Sequence, residues 1–357
     1  LKPTLRPIPK NKEDSAMKLI RFSVDASAPA FGLVIGVHAV SFASLQTGSG
    51  QQHPALANSQ SYLAGLPASE QAARSLLVWG EAHLAELSDA QKPLLESVRL
   101  HSPIEVSALF DLGLTPRHLA NSADTLLRYE KDNPQTAPLL EAFRKMLLAP
   151  RAAATPGVPE RLSYYKCNLN SIVGDDVEVP WPVYTSRLDI EPELAVVFGN
   201  PQQPVAGYCI FNDVSARDVQ AAEIIGGFCL TKDMASGNQL GPWLVTADEV
   251  GNPFTLAVSV TVDGAQRFQG STTEISHTVE AVFGWLGLIC PLTPGTVMGM
   301  GTIPDCTGLD HDDFLDPGAQ IAISIERLGI LRCRFAEPLR LLPSRWPLRP
   351  ALQKYHG

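Results

Sequence analysis

From residue 160 to residue 335 the chain reads as a succession of short apolar runs rich in β-branched residues and separated by turn signals. "ELAVVF", "AGYCIF", "PWLVT", "FTLAVSVTVDG", "GTVMGMG", "QIAISIE" and "ILRCRF" each have the length of a strand. Asp263-Gly264 predicts a hairpin turn, and Pro294-Gly295 and Pro317-Gly318 suit type II turns. One helix, "ISHTVEAVFGWLGL" over 275–288, interrupts the series. Many strands to about one long helix predict a β-rich, α+β region, not an alternating α/β sheet.

The first half has a different texture. Residues 17–46 alternate "LIRFSV", "FGLVIGV" and "AVSFA" with small-residue breaks, which predicts a small β unit. Residues 47–60 are rich in Gly, Ser, Gln and Asn and read as loop. Residues 68–87 carry apolar positions at helical spacing, with Ser69 as the expected N-cap, and 136–148 form a second amphipathic helix. Residues 149–160, "APRAAATPGVPE", read as a linker. The expected organisation is an extension over 1–16, a small N-terminal β/α domain over 17–105, a helical or linker segment over 106–160, a β-rich domain over 161–340 and a tail over 341–357.

Composition narrows the function. A 45% hydrophobic and 18% charged chain is an ordinary globular one. Its net charge of −9 argues against nucleic-acid or anionic-membrane partners, which need concentrated positive charge. No apolar run reaches membrane-spanning length. Residues 1–16 are basic and Pro-rich and lack the apolar core of a signal peptide, so Met17 reads as the native start and the cytoplasm as the expected compartment. The six cysteines form no CxxC pair and no Cys/His metal spacing, and read as small buried hydrophobes.

Three stretches carry candidate chemistry. In "LDIEPELAVVFG" (188–199), Glu191 and Glu193 would project from one face of a strand. Two such carboxylates need a cation, a shared proton or solvent, and a solvated strand entrance is the plain alternative. Pro192 between them fits an edge or first-strand position. Oxygen-only ligands favour a hard cation over zinc. In "GYCIFNDVSARDVQ" (207–220), Asp213, Arg217, Asp218 and Gln220 bunch at a strand end, where they form either a site or a capped helix start. Lys232 in "CLTKDMASGNQLGPWLVT" (229–246) is either a site cation or a surface charge.

Taken in order, E-x-E with "LAVVFG", then "NDVSARDVQ", then "TKD" with "LGPWLVT", and finally "GTVMGMGT" resemble the fumarylacetoacetate hydrolase superfamily over residues 160–335, and more loosely over 17–130. The resemblance implies a mixed β-roll catalytic domain over 161–340, behind a small N-terminal domain, and a homodimer. It implies metal ligation by Glu191, Glu193 and Asp213, with Asp111 from "DLGLTPRHLANS" as a fourth ligand and His118, seven residues on, as catalytic base. His83, in an H-x-x-E pair with Glu86, is a rival for that role. The other histidines match no motif of the family and read as surface or structural residues. Lys232 and Arg217 would stabilise developing charge, while Gln220 and Thr302 would bind substrate oxygens. Mg²⁺ is the implied cofactor, with Mn²⁺ or Ca²⁺ as alternatives. The glutamate that partners the histidine in the hydrolases has no clean counterpart, and Asp305, Asp310 and Asp312 in "IPDCTGLDHDDFLDPG" stand as substitutes.

The reaction this implies is metal-dependent hydrolysis of a C–C bond in a small anionic 1,3-dicarbonyl or 2-oxo acid. A lyase or isomerase working through the same enolate without an attacking water is the alternative in the same fold. A metal-stabilised, non-catalytic domain is the alternative of another class.

Overall fold

The run "ELAVVF" is apolar at consecutive positions because both faces of its strand are covered, as expected for a strand in the middle of a layered protein. The computed structural model describes residues 16–149, 161–224 and 227–356. In chain order its principal strands are β1 (Lys18–Ser23), β2 (Ala30–Ile35), β3 (His38–Ser41), β4 (Ala108–Leu112), β5 (Tyr164–Lys166), β6 (Val177–Val179) and β7 (Pro192–Asn200). They continue with β8 (Gln203–Asp213), β9 (Asn238–Thr246), β10 (Ala257–Val262), β11 (Ala265–Ser271), β12 (Thr296–Thr302), β13 (Gln320–Ile325) and β14 (Gly329–Phe335).

Among the described residues the main sheet runs β3-β2-β1-β9-β8-β7-β12-β4-β5, and a five-stranded sheet runs β11-β10-β13-β14-β6. Along β7, Ala195 and Val197 pack with Tyr62, Leu63 and Leu76 from the N-terminal helices. Leu194 and Val196 face the other way, into a core shared with Val258, Val260, Ile321 and Ile323 of the second sheet. The β-rich α+β architecture is therefore a helical layer, a mixed sheet and a second sheet. Pairing in the main sheet is antiparallel except where β12 meets β4, and where a two-residue strand joins β9, in parallel.

Several local expectations change on contact with the structure. The N-terminal β unit is part of the main sheet, because β1 pairs with β9 at Lys18↔Val245. Pro192 is the first residue of its strand, as expected, but that strand is central and not at an edge. Its missing N–H costs nothing there, and its carbonyl accepts from the Ile303 N–H at 2.8 Å. Residues 47–60 are not all loop: one helix, α1, spans Phe42–Ser49 and the next, α2, begins at Ser59. Ser69 lies inside α3 (Ala68–His83), where its hydroxyl donates to the Tyr62 carbonyl at 2.5 Å, so burial against α2 displaces the capping role.

The segment expected as helical or linker holds two helices, α4 (Pro116–Glu130) and α5 (Ala137–Leu148). Pro116 opens α4 with its fixed φ, and Ala123 and Leu126 give it a buried stripe. The linker expected over 149–160 lies, from residue 150 on, outside the described residues, as does the extension up to residue 15. All three predicted turns have the left-handed glycine they need, at Gly264, Gly295 and Gly318.

Candidate active site

Sheet register brings the acidic residues together. β8, β7, β12 and β4 are consecutive neighbours, and each contributes at or near one end: Asp213 closes β8, Glu193 follows the first residue of β7, Thr302 closes β12, and Asp111 is next to last in β4. Glu193 stands opposite Thr302, and the register shifts just after it, between Glu193 and Ala195. Asp111 stands opposite Gly299 across the parallel pair. Glu191 precedes β7, and its carbonyl accepts from the Asp213 N–H at 3.1 Å.

Gly301 is required at this junction. Its φ of +97° is left-handed, its N–H donates to Glu193 Oε2 at 3.1 Å, and a Cβ there would meet Leu114 N at 2.8 Å. Gly301→Ala is expected to cost about 1–3 kcal/mol of stability through that strained conformation. A urea denaturation midpoint measures it, with Gly264→Ala, left-handed but with open space around its Cβ, as the control for strain alone.

Ligand oxygens of Asp111, Glu191 and Asp213 lie within 4.8 Å of one another. Glu193 adds a fourth carboxyl, itself buried, whose charge is disfavoured by burial and by Asp111, and the Thr302 hydroxyl donates to its Oε1 at 3.1 Å. Lys232, at the end of the short helix Cys229–Lys232, donates to Glu191 Oε2 and Asp213 Oδ2 at 2.5 Å each and to Ser215 Oγ at 2.7 Å. Arg217 opens the helix Arg217–Glu223 and is fully buried between Asp189 Oδ2, at 3.0 Å, and Glu191, with Gln220 Oε1 at 3.2 Å. The Tyr165 hydroxyl donates to Asp213.

The electrostatics follow from this crowding. Burial, Asp213 and Glu191 push the Asp111 carboxyl up to about 7 against the pull of Lys232. Burial and then Asp111, Asp213 and Glu191 drive Glu193 well above the carboxylate range. Burial raises Asp213 as well, although Lys232 resists it. For Glu191 burial is overcome by Arg217, Lys232 and His118, which hold it well below its ordinary value. Asp111 Oδ1 and Asp213 Oδ1 are buried and accept no hydrogen bond among the described residues. Raised carboxyls with orphaned oxygens mark a cluster short of positive charge.

His118 sits in the first turn of α4 with both ring nitrogens committed. Nδ1 faces Asp310 at 3.0 and 3.2 Å, and Nε2 lies 3.2 Å from Ser122 Oγ and 3.7 Å from Glu191. A proton on Nδ1 is donated to Asp310, which leaves Nε2 as the nitrogen toward the carboxylates. Burial would lower this imidazole, but Asp310 and Glu191 raise it to about 9.

Of the three aspartates offered as partners, Asp310 faces His118 and is held by the Asp305 N–H at 2.9 Å. Asp305 instead pairs with Arg117, and Asp312 accepts from the Tyr129 hydroxyl. The rival His83 points its Nδ1 at the Trp79 carbonyl, stacks on the Trp79 ring and is not among the residues lining the cleft.

A cleft of about 650 Å³ opens onto this cluster, and Asp111, His118, Glu191, Gln220, Lys232 and Thr302 line its charged end. Glu193, Asp213 and Arg217 stand behind that lining, so Arg217 reaches the cleft through Glu191 and Gln220. Sequence reasoning missed Tyr165 and Asp189. Asp189 was visible in "LDIEPE" as a third acid in phase with the two glutamates. Nothing in the local pattern of "LSYYKC" set Tyr165 apart from Tyr164.

A family model described as "Fumarylacetoacetate (FAA) hydrolase C-terminal" matches residues 140–336. The chain is 32% identical over 184 residues to the mitochondrial oxaloacetate tautomerase FAHD2A of Homo sapiens, a match covering 49% of this chain and 59% of that protein. A Burkholderia multivorans relative, 34% identical over 171 residues, is matched over 45% of this chain and 60% of its own length. The chain thus spans about 60% of the length of these curated relatives. Among solved structures, maleylpyruvate hydrolase from Sphingobium sp. SYK-6, in complex with manganese (II) ion and pyruvate, has a TM-score of 0.60 at 18% identity. That match covers 90% of this chain and all (100%) of that one. Fumarylacetoacetate hydrolase from psychrophilic Exiguobacterium antarcticum gives a TM-score of 0.59 at 21% identity, covering 90% and 99%. At these identities the two structures establish likeness of fold. No helix among the described residues is long and apolar enough to cross a membrane.

Proposed function

The chain belongs to the fumarylacetoacetate hydrolase family, and from that premise we propose that it is a metal-dependent hydrolase cleaving a C–C bond in a small anionic 1,3-dicarbonyl or 2-oxo acid. The observation that carries the reading is an acid-held histidine beside a carboxylate cage at the charged end of one cleft. The donor set is oxygen only, and two of its oxygens lack partners among the described residues, which suits a hard divalent cation. Asp111, Glu191, Glu193 and Asp213 would hold it, Mg²⁺ being the first choice and Mn²⁺ or Ca²⁺ the others. When bound it supplies Lewis-acid polarisation of the substrate carbonyl and orients neighbouring oxygens.

The chain's own residues do the rest. His118 Nε2 takes a proton from water, and the hydroxide adds to the carbonyl distal to the acid group. Burial would lower this imidazole, but Asp310 and Glu191 raise it to about 9, so its base form is the minor one at neutral pH and turnover is expected to rise as pH climbs toward that value. The C–C bond then breaks, its electron pair moves to the departing carbon as an enolate, and His118 returns the proton to that carbon. The products are a carboxylic acid and a shortened 2-oxo acid. Lys232 lines the cleft and would stabilise the enolate charge, with Gln220 and Thr302 placed to meet substrate oxygens. Arg217 would act by fixing Glu191.

Asp310→Asn is expected to lower kcat about 10²–10⁴-fold, because the imidazole loses its orienting acid. Steady-state assays with Mg²⁺ and acetylpyruvate measure it, and KM is expected to stay within a few-fold. The same assay tests the function: formation of acetate and pyruvate supports hydrolysis. Enol–keto interconversion of oxaloacetate without cleavage would support the second reading, a tautomerase or related isomerase or lyase, which the FAHD2A likeness favours. A homodimer working in the cytoplasm completes the proposal, and light scattering on the purified chain tests the dimer.

A further inference from the structure

The cage occupies one end of the cleft, and most of the remaining wall is apolar. Beyond the cage, His118 and Lys232, the titratable residues of the lining other than tyrosine are Arg161 and His277. Helix α5 explains the apolar wall. Among its twelve residues only Leu140 is buried, yet Phe143, Met146 and Leu147, at helical i, i+3, i+4 spacing, all line the cleft. Leu126 of α4 extends the same surface, and Ile224 and Phe228 contribute from beyond the helix Arg217–Glu223. Met146 is 64% exposed, an unusual state for an apolar side chain on the inward face of a helix.

Size points the same way. A nine-heavy-atom acid such as acetylpyruvate fills on the order of 270 Å³, at roughly the 30 Å³ that each water occupies in the liquid. That is less than half of the 650 Å³ cleft. Filling the rest with a second carboxylate would set it against apolar walls except beside Arg161 and His277.

We propose that this site takes a 2-oxo or 1,3-dicarbonyl acid carrying an extended apolar substituent, an alkyl chain or aryl ring, whose head lies at the cage and whose tail covers the Phe143–Met146–Leu147 face of α5. The inference rests on the dicarbonyl-acid reading above and adds the class of the tail.

Calorimetric titration of the Mg²⁺-loaded protein with pyruvate, 2-oxohexanoate, 2-oxodecanoate and 2-oxoglutarate tests it without turnover. Affinity is expected to rise about two- to fourfold per added methylene across the linear series, and 2-oxoglutarate to bind more weakly than 2-oxohexanoate. Met146→Asp, at an exposed position that leaves the core intact, is expected to flatten that dependence. Affinity independent of chain length, or tighter binding of the dicarboxylate, overturns the proposal. Turnover of acylpyruvates is measured in parallel to separate the two readings. A chain-length effect without cleavage sustains the tail and removes the hydrolase. Cleavage with no chain-length effect does the reverse. No binding of any 2-oxo acid removes both.

Discussion

Glu191→Gln is expected to reduce turnover more than a thousandfold, to weaken divalent-cation binding beyond detection at millimolar metal, and to destabilise the metal-free protein. The Glu191 carboxylate is buried and is the common counter-ion of Arg217, Lys232 and, at 3.7 Å, His118. An isosteric amide keeps the shape and removes the charge. Two fully desolvated cations then lose their shared partner, and breaking a buried ion pair in this way costs about 3–5 kcal/mol.

Glu193→Gln is expected to behave differently although it lies two residues away on the same side of the chain. Burial and three neighbouring carboxylates already press Glu193 toward its neutral form. Its neutral amide removes repulsion, so the metal-free protein is expected to be as stable as the parent or more so, while metal affinity falls. Urea denaturation in a chelator and calorimetric titration with Mn²⁺ separate the two behaviours. Equal loss of stability in both variants would show that the charges are not partitioned as the geometry indicates.

The second large effect lies far from the cage in sequence. Trp346→Ala is expected to cost about 3–5 kcal/mol, the range for emptying a buried indole site. Trp346 stacks on Tyr129 at 4.0 Å, donates Nε1 to Glu130 Oε1 at 2.7 Å and packs beside Phe314. Tyr129 and Glu130 end the helix that carries His118 in its first turn, and Phe314 follows the segment that carries Asp310. The Arg187 guanidinium sits among the same three rings, 5.5 to 5.9 Å from their centres. Loss of the indole therefore frees both halves of the His118–Asp310 pair, and kcat is expected to fall even well below the new melting temperature. Trp346→Phe keeps part of the stack and loses the hydrogen bond to a carboxylate, for about 1.5–3 kcal/mol. Thermal melts with assays at a fixed interval below each Tm distinguish loosening from unfolding.

Which parts of this were readable in advance follows from how local each signal is. Period-two runs and glycine-bearing turns announced β10, β13 and β14, because half-buried strands alternate along their own sequence. E-x-E and the aspartate ending "YCIFND" were legible through the order of motifs that resembles the family, since strand geometry alone left a solvated strand entrance and a capped helix start open. The pairing partner of β1 was not legible, since nothing in "KLIRFS" specifies Val245. Helix α4 was under-read because its two polar termini and motif-like start outweighed the Ala123–Leu126 stripe. Choosing Asp310 over Asp305 and Asp312 required knowing which of three acids in one loop turns inward. Tyr165 reaches Asp213 from the far edge of the sheet, a relation set by strand order and by no local pattern.

The parallel pairing of β12 with β4 also bears on how the molecule assembles, because it joins distant parts of the chain. Ala108 meets Thr296, and Asp111 meets Gly299, across a separation of 188 residues. Glu191 and Asp213 lie close in sequence and can approach early through the β7–β8 hairpin. Asp111 joins them only when this long loop closes, a step with a larger entropic cost than closing the hairpin. The closing step is also the one that adds a further buried negative charge to a site already crowded with them. A divalent cation present during refolding would therefore act on a long-range contact of the sheet, and is expected to be felt as a faster rate as well as a deeper minimum.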